Sequence, residues 1–111
     1  MAEVVLFITV RAQPGQRDAL RAVWERHLKA RVVKTAAQPV YYYCYSREHP
    51  DEIRMFEHYT DESVLEENAM SAVFAAFMDE AGPLIAGQPE AAMADPVWIK
   101  PRDANQGTQS T

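Results

Sequence analysis

The chain has 111 residues and a formal net charge of −5. That length fits one domain, and the acidic balance lacks the basic face that nucleic-acid binding requires. Apolar residues make up 48% and charged residues 24%, enough for a core inside a solvated surface. An anionic small ligand stays open, because one local arginine would supply the positive charge.

Cys44 is the single cysteine, so no internal disulfide can form. A lone thiol fits a reducing cytosol. Met1-Ala2-Glu3-Val4 lacks the basic start of a signal peptide, and no apolar run approaches the roughly 20 residues of a membrane helix. A cytoplasmic protein with no membrane or nucleic-acid partner is the expectation.

Val4 to Val10 is a continuous apolar, largely β-branched run, which predicts a strand buried on both faces. Pro14-Gly15 ends it in a turn. From Gln16 the period becomes 3.6. Leu20, Val23, Trp24, His27 and Leu28 share one face of a helix that fades near Lys34, and Gln38-Pro39 stops it. Val40 to Ser46 is a second strand, with Tyr41, Tyr43 and Tyr45 on one side and Tyr42 and Cys44 on the other. Cys44 has no activating neighbour and reads as a buried strand thiol.

Arg47 to Asp51 suits a hairpin loop. Ile53 to Tyr59 returns as the third strand, turning Ile53, Met55, Glu57 and Tyr59 one way and Arg54, Phe56 and His58 the other. Thr60 or Asp61 caps the next helix, and Ser71 looks like a second cap, so a break is expected between Ala69 and Ser71. Phe74, Phe77, Met78 and Ala81 form a second apolar stripe that Gly82-Pro83 ends. Met93 to Lys100 is the expected last strand, with Pro96 marking an edge or a bulge. The polar segment 101–111 is expected to be frayed or docked on a partner subunit.

This order predicts an α+β, ferredoxin-like βαββαβ fold: an antiparallel four-stranded sheet with two helices on one face, in a single domain over residues 1–100. The first and third strands carry apolar residues on both sides, which one helical layer cannot cover. A second copy packed sheet to sheet is the economical solution, so a homodimer is expected.

The polar groups near the third strand are the candidates for chemistry. Glu57 and Tyr59 share a face, and Glu57 needs a partner if buried. Tyr59 offers a hydrogen bond or a stacking surface, or is a core tyrosine with a surface hydroxyl. Asn68 can donate to an oxyanion but cannot act as a base, or it is a helix-end residue. His27 is the best base by its ordinary pKa, or a satisfied core histidine. Trp24, Phe74, Phe77 and Met78 offer a surface for a flat apolar ligand. Arg54 and His58 read as interface residues. The histidines at 27, 49 and 58 have no metal-ligand spacing, and no glycine-rich phosphate loop is present, so no metal site is expected.

Several stretches together resemble the antibiotic biosynthesis monooxygenase domain family, the small dimeric α/β-barrel proteins. They are Val10 to Arg17, Val23-Trp24-Glu25-Arg26-His27-Leu28, Tyr43, Phe56-Glu57-His58-Tyr59-Thr60-Asp61-Glu62, and Ser71 through Phe77. The resemblance runs from about Val4 to Lys100 and rests on order and spacing, not on one motif. It implies a ferredoxin-like dimer with a pocket between helices and sheet. It also implies a cofactor-independent oxygenase for a small quinol- or anthrone-like aromatic. For that chemistry the residues themselves offer Tyr59, Asn68 and His27 as catalytic groups and Trp24, Glu57, Phe74, Phe77 and Met78 as substrate contacts. Relatives usually carry Trp where Tyr59 stands and often His where Asn68 stands. The alternatives are a non-catalytic ligand-binding homodimer on the same fold and a related isomerase or decarboxylase. The Trp and His used by haem-degrading members are missing, so haem degradation is not expected.

Overall fold

A computed structural model describes residues 2–101. The first apolar run forms β1, Val4–Arg11. A helical stretch follows, with α1 at Arg17–Trp24, a π-helical segment at Glu25–Lys29 and α2 at Ala30–Lys34. The hairpin strands are β2, Val40–Tyr45, and β3, Glu52–Tyr59. The second helical stretch contains α3, Glu62–Ala69, and α4, Ala72–Ala81, and a 3-10 turn, Gly82–Leu84, follows. Strand β4, Glu90–Ala94, completes the order. The four strands pair antiparallel as β2-β3-β1-β4, the ferredoxin-like arrangement expected from the element order.

Local chemistry explains the boundaries. Gly15 adopts φ 77°, which the turn after Pro14 requires and which a Cβ would strain. Its N–H donates to Asp51 Oδ1 at 2.9 Å, tying this turn to the hairpin loop. Asp61 accepts from the Ser63 N–H at 3.0 Å and caps α3. Ser71 accepts from the Phe74 N–H at 3.1 Å and caps α4, so the expected break falls between Ala69 and Ser71.

Register turns the strand parities into rows. Tyr43, Met55, Ile8 and Ala91 lie side by side across the sheet, as do Tyr41, Glu57, Leu6 and Met93. Both rows face the helices. The opposite face carries the row Tyr42, Phe56, Phe7 and Ala92. The packed core, built on Val10, Ala12, Leu20, Val23, Ile53 and Ala81, occupies the end of the sheet near the hairpin loop. Arg17 fastens that end by donating to the carbonyls of Ser46, His49 and Glu52 at 3.3, 3.1 and 3.3 Å. Its guanidinium also stacks 3.9 Å from the Tyr45 ring centre.

Five expectations change. The first helix is not uniformly α-helical, because the Glu25–Lys29 segment winds as a π-helix. The last strand occupies Glu90–Ala94, not Met93 to Lys100. Pro96 has no N–H to offer a ladder, and Trp98 beyond it is 77% exposed. β1 is not buried on both faces: Phe7 is 50% exposed on the side without helices. Cys44 is exposed on that same side, not buried. His58 is buried within its own chain beside Glu3, with Nε2 and Oε1 2.6 Å apart. Among the described residues, no helix is long and apolar enough to cross a membrane. The segment 102–111, expected to fray or dock on a partner, lies outside the described residues.

Candidate functional site

The helix-bearing side of the sheet is packed at one end and hollow at the other. The hollow is a cavity of about 330 Å³, near the lower bound for small-molecule sites. Its floor is the two rows through Tyr43 and Tyr41, and its far wall includes Tyr59. The first helical stretch contributes Leu20, Trp24, Leu28, Arg31 and Val32. Leu65, Asn68 and Ala69 come from α3, and Phe74, Phe77 and Met78 from α4.

The π-helical segment decides which residues reach it. A π-helix winds wider than 3.6 residues per turn, so the inward face lags behind an α-helical stripe. Leu20 and Trp24 line the cavity from α1, and across the π-helical segment the line continues at Leu28 and Val32. His27 falls off that line. Its Nε2 sits 2.8 Å from Glu80 Oε1, so it joins α4 to the first helical stretch and does not line the cavity.

The walls are mainly apolar and aromatic. Trp24 lies 4.6 Å from the Tyr43 ring and 5.5 Å from the Tyr41 ring, centre to centre. Its indole N–H donates to the Tyr41 hydroxyl at 3.0 Å, and Tyr41 in turn donates to Met55 Sδ at 3.3 Å. Phe74 and Phe77 pack 5.7 Å apart on the opposite wall. Burial drives the Tyr41 and Tyr43 hydroxyls far above their ordinary pKa, so both stay protonated and neutral.

One polar line crosses this surface. Glu57 is buried, and its Oε1 accepts from Gln38 Nε2 at 3.0 Å and from the Tyr59 hydroxyl at 2.9 Å. Burial pushes its carboxyl above the usual carboxylate range, while hydrogen bonds from Tyr59, Tyr41 and Gln38 partly offset the rise. Burial, then the Glu57 charge, raises the Tyr59 pKa, and the Asn68 side chain opposes this. Asn68 Oδ1 accepts from an Arg31 terminal nitrogen at 2.8 Å. Glu57, Tyr59, Asn68 and Arg31 thus run in sequence from the sheet to the gap between α2 and α3.

The cavity gathers Tyr59, Asn68, Glu57, Trp24, Phe74, Phe77 and Met78 from the sequence candidates and leaves out His27. Arg31, Gln38 and Tyr41 were not singled out. Gln38 registered only as the helix stop before Pro39, although it is 6% exposed and grips Glu57. The Tyr41 parity was legible, but it needed the β2–β3 register to place Tyr41 opposite Glu57. Arg31 follows His27 and Leu28 at helical spacing and lines the cavity, but as a charged residue it was not counted in the apolar stripe. Among the described residues, no group of three or more His, Cys, Asp or Glu side chains is arranged to hold a metal ion.

No protein-family model matches the chain, and no curated protein does. Solved structures do. A protein from Caulobacter crescentus, provisionally named an antibiotic biosynthesis monooxygenase, superposes with a TM-score of 0.80 at 22% identity, covering 87% of this chain and 92% of its own. One of the same provisional name from Chloroflexus aurantiacus gives 0.75 at 23% identity, over 90% and 98%. A third so named, from Bacteroides thetaiotaomicron, gives 0.77 at 16% identity, over 91% and 97%. Likeness at these identities establishes architecture. The resemblance carried by residue order is therefore matched in three dimensions, and the chain has the ferredoxin-like fold of the structures named as antibiotic biosynthesis monooxygenases.

Proposed function

We propose that the protein is a cytoplasmic, homodimeric oxygenase that oxidises a small quinol- or anthrone-like aromatic with O2 and no bound cofactor. The observation that carries this reading is a ligand-sized apolar cavity with a buried carboxyl, Glu57, whose hydrogen-bond partners among the described residues are neutral. The names of the structural neighbours support the same class.

The chemistry asks the protein for a proton acceptor, a dry site and a fixed ring. A flat ring fits between the Trp24–Tyr43 floor and the Phe74–Phe77 wall. Tyr59 takes the substrate proton as its own hydroxyl proton passes to ionised Glu57. This relay removes the difficulty of a tyrosine acting alone with a pKa near 10. The substrate carbanion gives one electron to O2, and the two radicals combine to a peroxide at that carbon. Loss of water then leaves a carbonyl, so a CH2 group and O2 become C=O and H2O. The substrate supplies every electron. Asn68 donates to the developing oxyanion.

The dimer is part of this proposal. The row Tyr42, Phe56 and Phe7 leaves an aromatic strip on the sheet face without helices, with Tyr42 63% and Phe7 50% exposed. A second sheet would cover it. The alternative, a ligand-binding dimer without turnover, draws on the tyrosine at 59, where relatives usually carry Trp.

Oxygen uptake with a panel of hydroquinones and anthrones, without added metal or flavin, tests the proposal. Uptake that scales with enzyme, together with a dimeric mass by light scattering, is expected. Tight binding without uptake establishes the binding module instead.

A further inference from the structure

Arg31 is out of keeping with the cavity it borders. The chain is acidic and the cavity walls are apolar, yet a guanidinium stands at the gap between α2 and α3. Apart from Arg47 on the exposed hairpin loop, the other described arginines are visibly employed. Arg11 and Arg54 hold Glu52, Arg26 meets Glu80, and Arg21 meets Glu25. Among the described residues, no carboxylate lies within ion-pairing distance of Arg31. Its hydrogen bond is to the neutral Asn68 amide at 2.8 Å. A guanidinium has five N–H donors in a rigid fork, so most of its capacity is left for a ligand.

We infer that the cavity takes an aromatic ring bearing an anionic oxygen group, with Arg31 binding that group at the open edge and Asn68 holding the guanidinium in place. The inference rests on the proposed aromatic site and narrows its substrate class from neutral quinols to aromatic anions. Arg31 is half-buried, so an anion there keeps part of its hydration while the ring enters the apolar floor. The geometry also separates charges. Glu57 lies beyond Tyr59 from Arg31, and its hydrogen bonds come from Gln38 and Tyr59. The positive group therefore meets the ligand's anion, and the carboxyl stands at the ring's other side. A fork-shaped donor matches a carboxylate with two parallel bonds, which a lysine would not reproduce.

The test is calorimetric titration of the full chain with 2-naphthoate and with its neutral carboxamide. The carboxylate is expected to bind about thirtyfold more tightly, the range for a hydrogen bond to a charged group. Arg31→Gln should erase that preference, weakening carboxylate binding far more than carboxamide binding. Arg31→Lys, which keeps the charge and loses the fork, should retain a reduced preference, and circular dichroism should show both variants folded. A phenolate in place of the carboxylate asks which anionic group is preferred; discrimination by wild type and its loss in Arg31→Gln support the inference for either. Equal affinity of acid and amide for wild type, or a preference that survives in Arg31→Gln, overturns it while leaving the aromatic site intact. Binding of neither compound overturns both.

Discussion

Glu52 and Glu57 share strand β3 and face opposite sides of the sheet. Both are buried, at 3% and 6% exposure. Their neighbours differ. Glu52 accepts from Arg54 at 2.7 Å and from Arg11 at 3.2 Å, and the Arg54 hydrogen bond leads in holding its pKa below the usual range. Glu57 accepts from an amide and a phenol, with no cation within ion-pairing distance among the described residues, and burial holds its pKa above that range. Burial alone does not separate a structural carboxylate from a chemical one. The charge of the partners does, because a neighbouring cation holds a carboxyl ionised, whereas a buried carboxyl without one takes up a proton more readily.

The largest expected effect tests the packed end near Glu52. Ile53 is 1% exposed and sits in the core beside Leu20 and Ala81. Ile53→Ala should lower unfolding free energy by about 3 kcal/mol, read by urea denaturation. A loss below about 1 kcal/mol would mean that this end is no better packed than the hollow one.

Next comes the hollow end. Glu57→Gln preserves the side-chain shape and removes the proton acceptor, so turnover should fall about a hundredfold with little change in KM. Tyr59→Phe should lose a similar factor, and the double variant no more than either single one, because the two groups act as one relay. Additive losses would separate their roles.

The pH dependence of stability should oppose the two carboxylates. Raising the Glu57 pKa on folding makes the folded state bind the extra proton. Its stabilising contribution is full below the ordinary value of 4.5 and is lost as pH rises from there through the raised value. Glu52, with its pKa lowered, contributes above 4.5 and loses that contribution as pH falls through its lowered value. Glu57→Gln should flatten the first slope and Glu52→Gln the second, measured as denaturation midpoints across a pH series. The same slope in wild type and variant would remove that residue from the linkage.

The smallest effect is expected at His27. It pairs with Glu80 away from the cavity, so His27→Ala should change turnover by less than about twofold. A loss comparable to that of Glu57→Gln would return it to the catalytic group.

Much of this arrangement was legible in the residues. Alternation along Ile53 to Tyr59 placed Glu57 and Tyr59 together, and Thr60 or Asp61, with Ser71 after them, announced both caps before α3 and α4. What stayed hidden depends on contacts between distant segments. His27 lies on an apolar 3.6-residue stripe, and nothing in Glu25 to Lys29 signals the π-helical winding that moves it. Gln38 carries a turn signal and a buried hydrogen bond at once, and only the first is local. The end of β4 was misplaced because Val97, Trp98 and Ile99 have the stronger strand propensity, yet the ladder with β1 runs through Glu90 to Ala94.

The central claim is that a flat aromatic occupies the hollow end against Glu57 and Tyr59. Amide chemical-shift mapping on the 15N-labelled protein, during addition of a hydroquinone or an anthrone, tests it most directly. Saturable shifts should concentrate at Trp24, Glu57, Tyr59, Asn68 and Phe74 to Met78, leaving Phe7, Tyr42 and Arg54 still. Shifts confined to that second group, on the sheet face without helices, would contradict the claim.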